Sequence, residues 1–173
     1  MERILPASGT GSAAADTARL LPLLVIAAGV IALGTAFASQ YWGGLQPCVL
    51  CVYQRWPYGI AIVLGLAALT TGGATRGWLL ALAGLTFAVG GAIAGFHVGV
   101  EQGWWEGTAQ CGATGKADSL EALRAQIMAA PMVRCTDIAW SLAGISMAGF
   151  NLIASAVLAI VTLAGARRQL RGA

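Results

Sequence analysis

From its N-terminus onward, the chain sets long apolar runs between short polar intervals. Leu20–Ala38 carries no charge, Val49–Thr71 carries only Arg55 near its start, and Gly77–Val100 is uncharged but holds His97 near its end. Ile138–Ala166 is again uncharged. A membrane-crossing helix needs about 20 mainly apolar residues, and each run supplies them. Their continuity favours helices over barrel strands, which alternate in polarity over about ten residues, and a helix satisfies its own backbone within hydrocarbon. The predicted architecture is an all-α membrane protein of one domain, 1–173, built as a four-transmembrane-helix bundle. The predicted spans lie at about 20–38, 50–71, 77–100 and 141–164, with outer loops at about 39–49 and 101–140.

Details within the runs support this. Gly84, Gly90, Gly91 and Gly95 permit close backbone approach between membrane helices. Pro22 and Pro57 fall near span entrances, where a missing backbone donor costs least. The first run is long for the apolar region of a cleaved signal and shows no small-residue cleavage site before Gln40-Tyr41-Trp42, so it is expected to remain as a helix. Arg3, Arg19, Arg76, Arg167, Arg168 and Arg171 fall on one side of the predicted bundle, against Lys116, Arg124 and Arg134 in a longer loop on the other. The positive-inside rule then puts both termini in the cytoplasm. Trp42, Trp104, Trp105 and Trp140 fall near the outer interface, where amphipathic rings sit at headgroup level.

Composition agrees. Hydrophobic residues make up 58% of the 173, charged residues 10%, and the mean hydropathy is +0.76. Ordinary soluble domains are about 25% charged, so a water-soluble globule is excluded, and disorder fails for the same reason. A net charge of +3 is too small for nucleic-acid binding through a basic surface.

On this topology Cys48, Cys51, Cys111 and Cys135 all fall on the outer side, where a periplasm or secretory lumen permits disulfides. Four cysteines allow three pairings, and two structural bridges are one reading. Structural zinc sites use two tight Cys or Cys/His pairs; Cys111 and Cys135 are separated by a long loop, so no metal is expected. Redox work has two features in its favour. Pro47-Cys48-Val49-Leu50-Cys51 places a CxxC at a helix start, where free backbone N–H groups and the helix dipole stabilise a thiolate, and a thiolate is the attacking species in exchange. Arg55 lies four residues after Cys51, on one helical face with both cysteines, and an ionisable residue in a span is a functional candidate. His97 lies at similar depth and changes charge near neutral pH.

The loop from Glu101 to Asp137 contains a short amphipathic signal: Asp118 as cap, Glu121 in the reciprocal position, and Leu120, Leu123, Ile127 and Met128 as an apolar stripe. It is expected to lie in the interface plane. The turn-rich residues around Cys111 predict an accessible, mobile thiol.

Taken together, Pro47-Cys48-Val49-Leu50-Cys51-Val52-Tyr53-Gln54-Arg55, Cys135 followed by Trp140 and Gly144, and the placement of His97 resemble the DsbB family of bacterial inner-membrane disulfide bond formation proteins. The resemblance implies a quinone-dependent thiol oxidase. A periplasmic DsbA-like dithiol protein would be oxidised by a Cys111–Cys135 disulfide, with electrons passing through Cys48 and Cys51 to ubiquinone or menaquinone of the membrane pool. It further implies that Cys51, Arg55 and His97 neighbour the quinone. One departure is Gln54, where well-known members carry glutamate; no charge role is assigned to it. The alternative class is a non-catalytic membrane protein with two structural outer disulfides.

Overall fold

The computed structural model describes residues 10–111, 119–121, 124, 128 and 133–172, and for 10–18 the backbone alone. The first apolar run lies within a helix α1, Thr10–Tyr41. The second is divided into α2, Val49–Tyr53, and α3, Arg55–Thr70. The division has a local cause: Pro57 has no N–H to bond the Tyr53 carbonyl one turn back, and the chain turns at Gln54 between the two segments. The third run lies within α4, Gly73–Glu101, and the fourth supplies most of α5, Met147–Arg171, its first nine residues preceding the helix. Among the described residues, four segments, Arg19–Tyr41, Val49–Thr70, Gly73–Glu101 and Met147–Arg171, are long and apolar enough to cross a membrane. The chain is thus a multi-pass helical membrane protein.

Three boundaries depart from expectation. The expected Thr71–Gly77 loop contracts to Thr71 and Gly72 because Arg76 folds back on α3, its Nε donating to the Ala68 carbonyl at 3.0 Å and its Nη2 to that of Thr71. Those are carbonyls a helix C-terminus leaves unpaired. Pro22 lies in the first turn of the span but inside the longer α1. The last span begins at Met147, later than the expected 141, because Ser141–Leu142 (β1) and Ile145–Ser146 (β2) pair antiparallel, Ser141 opposite Ser146. Ala143 and Gly144 turn the hairpin at φ 52° and 79°, the double left-handed turn that suits strand twist. Ser146 then caps α5, accepting the Gly149 N–H at 3.1 Å. In the predicted loop helix, Leu120, Glu121, Arg124 and Met128 are helical and exposed. Asp118, Leu123 and Ile127 lie outside the described residues.

α4 is the central helix. It makes the most extensive interface with α5 and a second with α3, which in turn carries α1. The core joins Val25, Tyr58, Ala61, Leu80, Ala83, Phe87, Ala159 and Ala166, and its closest approach is made by glycine. A methyl group on Gly84 would lie 2.7 Å from Leu163 Cγ and 3.2 Å from its backbone nitrogen. Leu, Ile and Val side chains elsewhere on the helices are exposed, as lipid-facing surfaces require. A second cluster forms where α2 meets the end of α4: Cys48, Leu50, Val100, Cys111 and Cys135, flanked by Val49, Cys51, Phe96 and Val133.

Candidate redox site

That second cluster contains all four cysteines. Cys111 and Cys135 form a disulfide with Cα atoms 5.0 Å apart, and the Cys135 N–H donates to the Cys111 carbonyl at 3.1 Å. Contrary to the expectation of an accessible thiol, Cys111 is 7% exposed and Cys135 fully buried. The apolar contacts of the bridge outweigh the polar composition of its neighbours.

Cys48 and Cys51 are free thiols with sulfurs 3.1 Å apart. Cys48 is the N-cap of α2, and its sulfur accepts the Cys51 N–H at 3.3 Å. The expected helix-start CxxC is therefore present, although α2 is five residues long. Cys48 ionises well below an ordinary thiol. The Cys51 thiol donating to its sulfur is the largest cause, with His97 and the Cys51 backbone N–H adding to it against the opposing effect of burial.

His97 is the second point of organisation. Its Nε2 lies 3.5 Å from Cys48 Sγ and 3.8 Å from a Glu101 carboxylate oxygen, and the ring also interacts with the Cys135 main chain. It thereby touches both cysteine pairs. Its other nitrogen, Nδ1, lies 2.9 Å from Gln54 Nε2, and a relay behind it sets the proton position. The Tyr58 hydroxyl donates to Asn151 Oδ1, and Asn151 Nδ2 donates to Gln54 Oε1. That leaves the Gln54 amide nitrogen, a donor only, to face Nδ1. Nδ1 must accept, so the neutral ring carries its proton on Nε2, aimed at Cys48. Ser155 joins Tyr58 at 3.0 Å, and Ser146 donates to Glu101. The relay crosses α3, α4 and α5 and is buried at Gln54 and His97.

Arg55, expected on one face with the cysteines, is engaged with α1 instead. Its Nη1 donates to Gln40 Oε1 at 2.7 Å, and its guanidinium carbon lies 4.9 Å from the centre of the Phe37 ring. The break at Gln54 interrupts the continuous helical face assumed from spacing. Around Arg55, Phe37, Tyr41, Val52, Tyr53 and Trp56 are exposed.

Gln54, Glu101, Asn151, Tyr58 and Ser146 were missed as site residues. For Asn151 and Tyr58 the available signal was an amide and a phenol inside otherwise apolar runs. For Gln54 it was position, between the CxxC and the arginine.

A dithiol and a disulfide gathered at one end of a helical membrane bundle define a membrane thiol–disulfide protein. The chain belongs to the DsbB family: the family model "Disulfide bond formation protein DsbB" matches residues 18–165. Proteins named disulfide bond formation protein B from Verminephrobacter eiseniae and Chromohalobacter salexigens are 31% and 32% identical to it. Those alignments cover 90% and 83% of this chain and 89% and 86% of the relatives. An uncharacterized protein of Rickettsia prowazekii is 30% identical over 84% of this chain and 86% of its own length. No solved structure matches the chain. Membership makes the protein a disulfide-forming membrane oxidoreductase.

Proposed function

We propose that the protein reoxidises a periplasmic DsbA-like dithiol protein and passes the electrons to membrane quinone. The observation that carries this reading is the cluster itself, in which the Cys111–Cys135 disulfide and the Cys48/Cys51 pair share one apolar neighbourhood. In this reading both termini are cytoplasmic, the cysteines face the periplasm, and the protein resides in a bacterial inner membrane.

The thiol steps balance. A partner thiolate attacks Cys111 Sγ, forming a mixed disulfide and releasing the Cys135 thiolate. With Cys48 and Cys51 oxidised to a disulfide, Cys135 attacks Cys48 Sγ and displaces the Cys51 thiolate. The partner's second thiolate then attacks its own sulfur in the mixed disulfide, leaving oxidised and freeing Cys111. Cys111 attacks Cys135, which re-forms their disulfide and returns Cys48 as a thiolate. The net result is one partner dithiol oxidised and the Cys48/Cys51 pair reduced, the state described above. Cys48 suits its place because the Cys51 thiol, the His97 Nε2–H and a backbone N–H stabilise its charge, and a stabilised thiolate leaves readily.

The residues around Arg55 fit a lipid-soluble quinone, since a guanidinium donor stands beside an exposed, largely aromatic face. Arg55 would hold a carbonyl oxygen of the ring, with Cys51 the neighbouring thiol. Such a quinone, ubiquinone or menaquinone alike, supplies an acceptor for two electrons and two protons. His97 is expected to serve the thiol pair through Cys48, whose sulfur lies 3.5 Å from its Nε2.

The test is quinone reduction by purified protein with a reduced DsbA-like partner. Cys51→Ser should abolish turnover. Arg55→Ala should lower it at least tenfold while the partner still exchanges with Cys111. Unchanged rates in both variants would leave the cysteines as structural bridges and refute the proposal.

A further inference from the structure

We infer that the reduced Cys48/Cys51 pair and His97 form a redox-gated binding site for a thiophilic cation of the Zn2+ class. This does not rest on quinone chemistry; it rests on the ligand set. The two sulfurs and a His97 nitrogen all lie within 4.8 Å of one another, with 3.1 Å between the sulfurs and 3.5 Å from Cys48 Sγ to Nε2. Zinc binds sulfur at about 2.3 Å and imidazole nitrogen at about 2.0–2.1 Å, tetrahedrally. Ligand atoms on such a centre stand about 3.6–3.8 Å apart. The Cys48–His97 edge is already near that value, the sulfurs need to part by about 0.7 Å, and the Cys51–His97 edge lies within 4.8 Å.

A cavity of about 40 Å³ adjoins the three ligands, and its lining includes Glu101 and Asp137. A water needs about 10–15 Å³ by the same kind of measure, so an ion and a fourth ligand fit. Glu101 lies 3.8 Å from the ligating nitrogen and offers that fourth position a carboxylate. The long loop between Cys111 and Cys135 argues against a zinc site shared by both pairs. It has no bearing on this one, whose ligands come from one CxxC and one neighbouring helix.

Binding is not a redox step. The cation keeps its charge, both sulfurs bind as thiolates, and the thiol protons are released to solvent. Ligation by Nε2 places the ring proton on Nδ1; the Gln54 and Asn151 amides must then both flip, Asn151 Oδ1 accepting from Gln54 and Tyr58, now donating to Ser155, accepting from Asn151 Nδ2. Oxidation of the pair to a disulfide removes both thiolates and the site with them. An ion held here withholds both sulfurs from exchange, so the site stops turnover when the reduced pair meets the free cation.

The experiment titrates Zn2+ alone into detergent-solubilised full-length protein, phosphine-reduced or air-oxidised, and measures bound zinc after desalting. Co2+ serves as the spectroscopic probe through its thiolate charge-transfer band. One ion per reduced chain, none per oxidised chain, and protection of Cys48 and Cys51 from alkylation are expected. Cys111→Ser/Cys135→Ser should bind equally well, Cys51→Ser should lose the band, and His97→Ala should weaken binding at least tenfold while retaining helicity. Gln54→Glu, with an acceptor already facing Nδ1, should bind more tightly. Equal zinc in oxidised and reduced protein, or affinity unchanged by His97→Ala, would overturn the site.

Discussion

Gln54→Leu tests the relay behind His97 directly. Leucine keeps apolar bulk at a position 6% exposed but removes the donor to His97 Nδ1 and the acceptor for Asn151 Nδ2. Each buried polar group left unpaired costs about 1–3 kcal/mol, so the two together destabilise the fold by about 2–6 kcal/mol. The alternative is that both groups find other partners within the membrane, where hydrogen-bond pairs average about 0.6 kcal/mol. Unfolding in mixed detergent micelles, followed by helical circular dichroism, separates these ranges. Gln54→Glu is the control: a carboxylate accepts from Asn151 and from the Nδ1–H of a doubly protonated His97, whose Nε2–H still faces Cys48, so the relay persists as a paired charge. Stability should remain within about 1 kcal/mol of the parent, because no polar group is orphaned. A loss below about 1 kcal/mol for Gln54→Leu, or equal losses for both variants, would refute the relay.

The remaining predictions concern the thiol pair and the helix interface. Alkylation of Cys48 in the reduced protein, followed by mass spectrometry against pH, should show a midpoint below the ordinary thiol value of about 8.5. Because ionisation is favoured in the fold, the stability it contributes is complete above the ordinary value and is lost as pH falls through the folded one. Cys51→Ala and His97→Ala should each move the midpoint upward, and a parent midpoint at or above the ordinary value would count against the geometry. Gly84→Ala should destabilise by about 1–3 kcal/mol through overpacking against Leu163. Gly34→Ala, whose added methyl meets nothing within 4 Å, should be neutral or stabilising in the same detergent assay.

The spans were legible because lipid imposes a one-dimensional requirement, apolar length, that a sequence displays directly. Each of the four runs supplies one crossing helix, although the fourth starts nine residues before its helix does. Their ends were less legible because polar side chains decide them: Arg76 draws the second loop tight, and Ser146 with Gly144 converts the start of the fourth run into a hairpin. The CxxC was readable because its chemistry depends on local position at a helix start. The Arg55 alignment was not, since one missing N–H at Pro57 interrupts the face on which it relied. Gln54, Asn151 and Tyr58 come from two helices far apart in sequence. Their relation to His97 exists only after α3, α4 and α5 have packed, so no spacing rule reports it.

Burying the Cys111–Cys135 bridge also has a consequence for timing. A sulfur that solvent barely reaches cannot be attacked at the rate of free encounter; the cluster around Val100 and Leu50 must first part locally. In the proposed reaction, electrons from the partner would then enter through a conformational gate. At high partner concentration the rate should level off at the frequency with which that gate opens, however reactive the arriving thiolate.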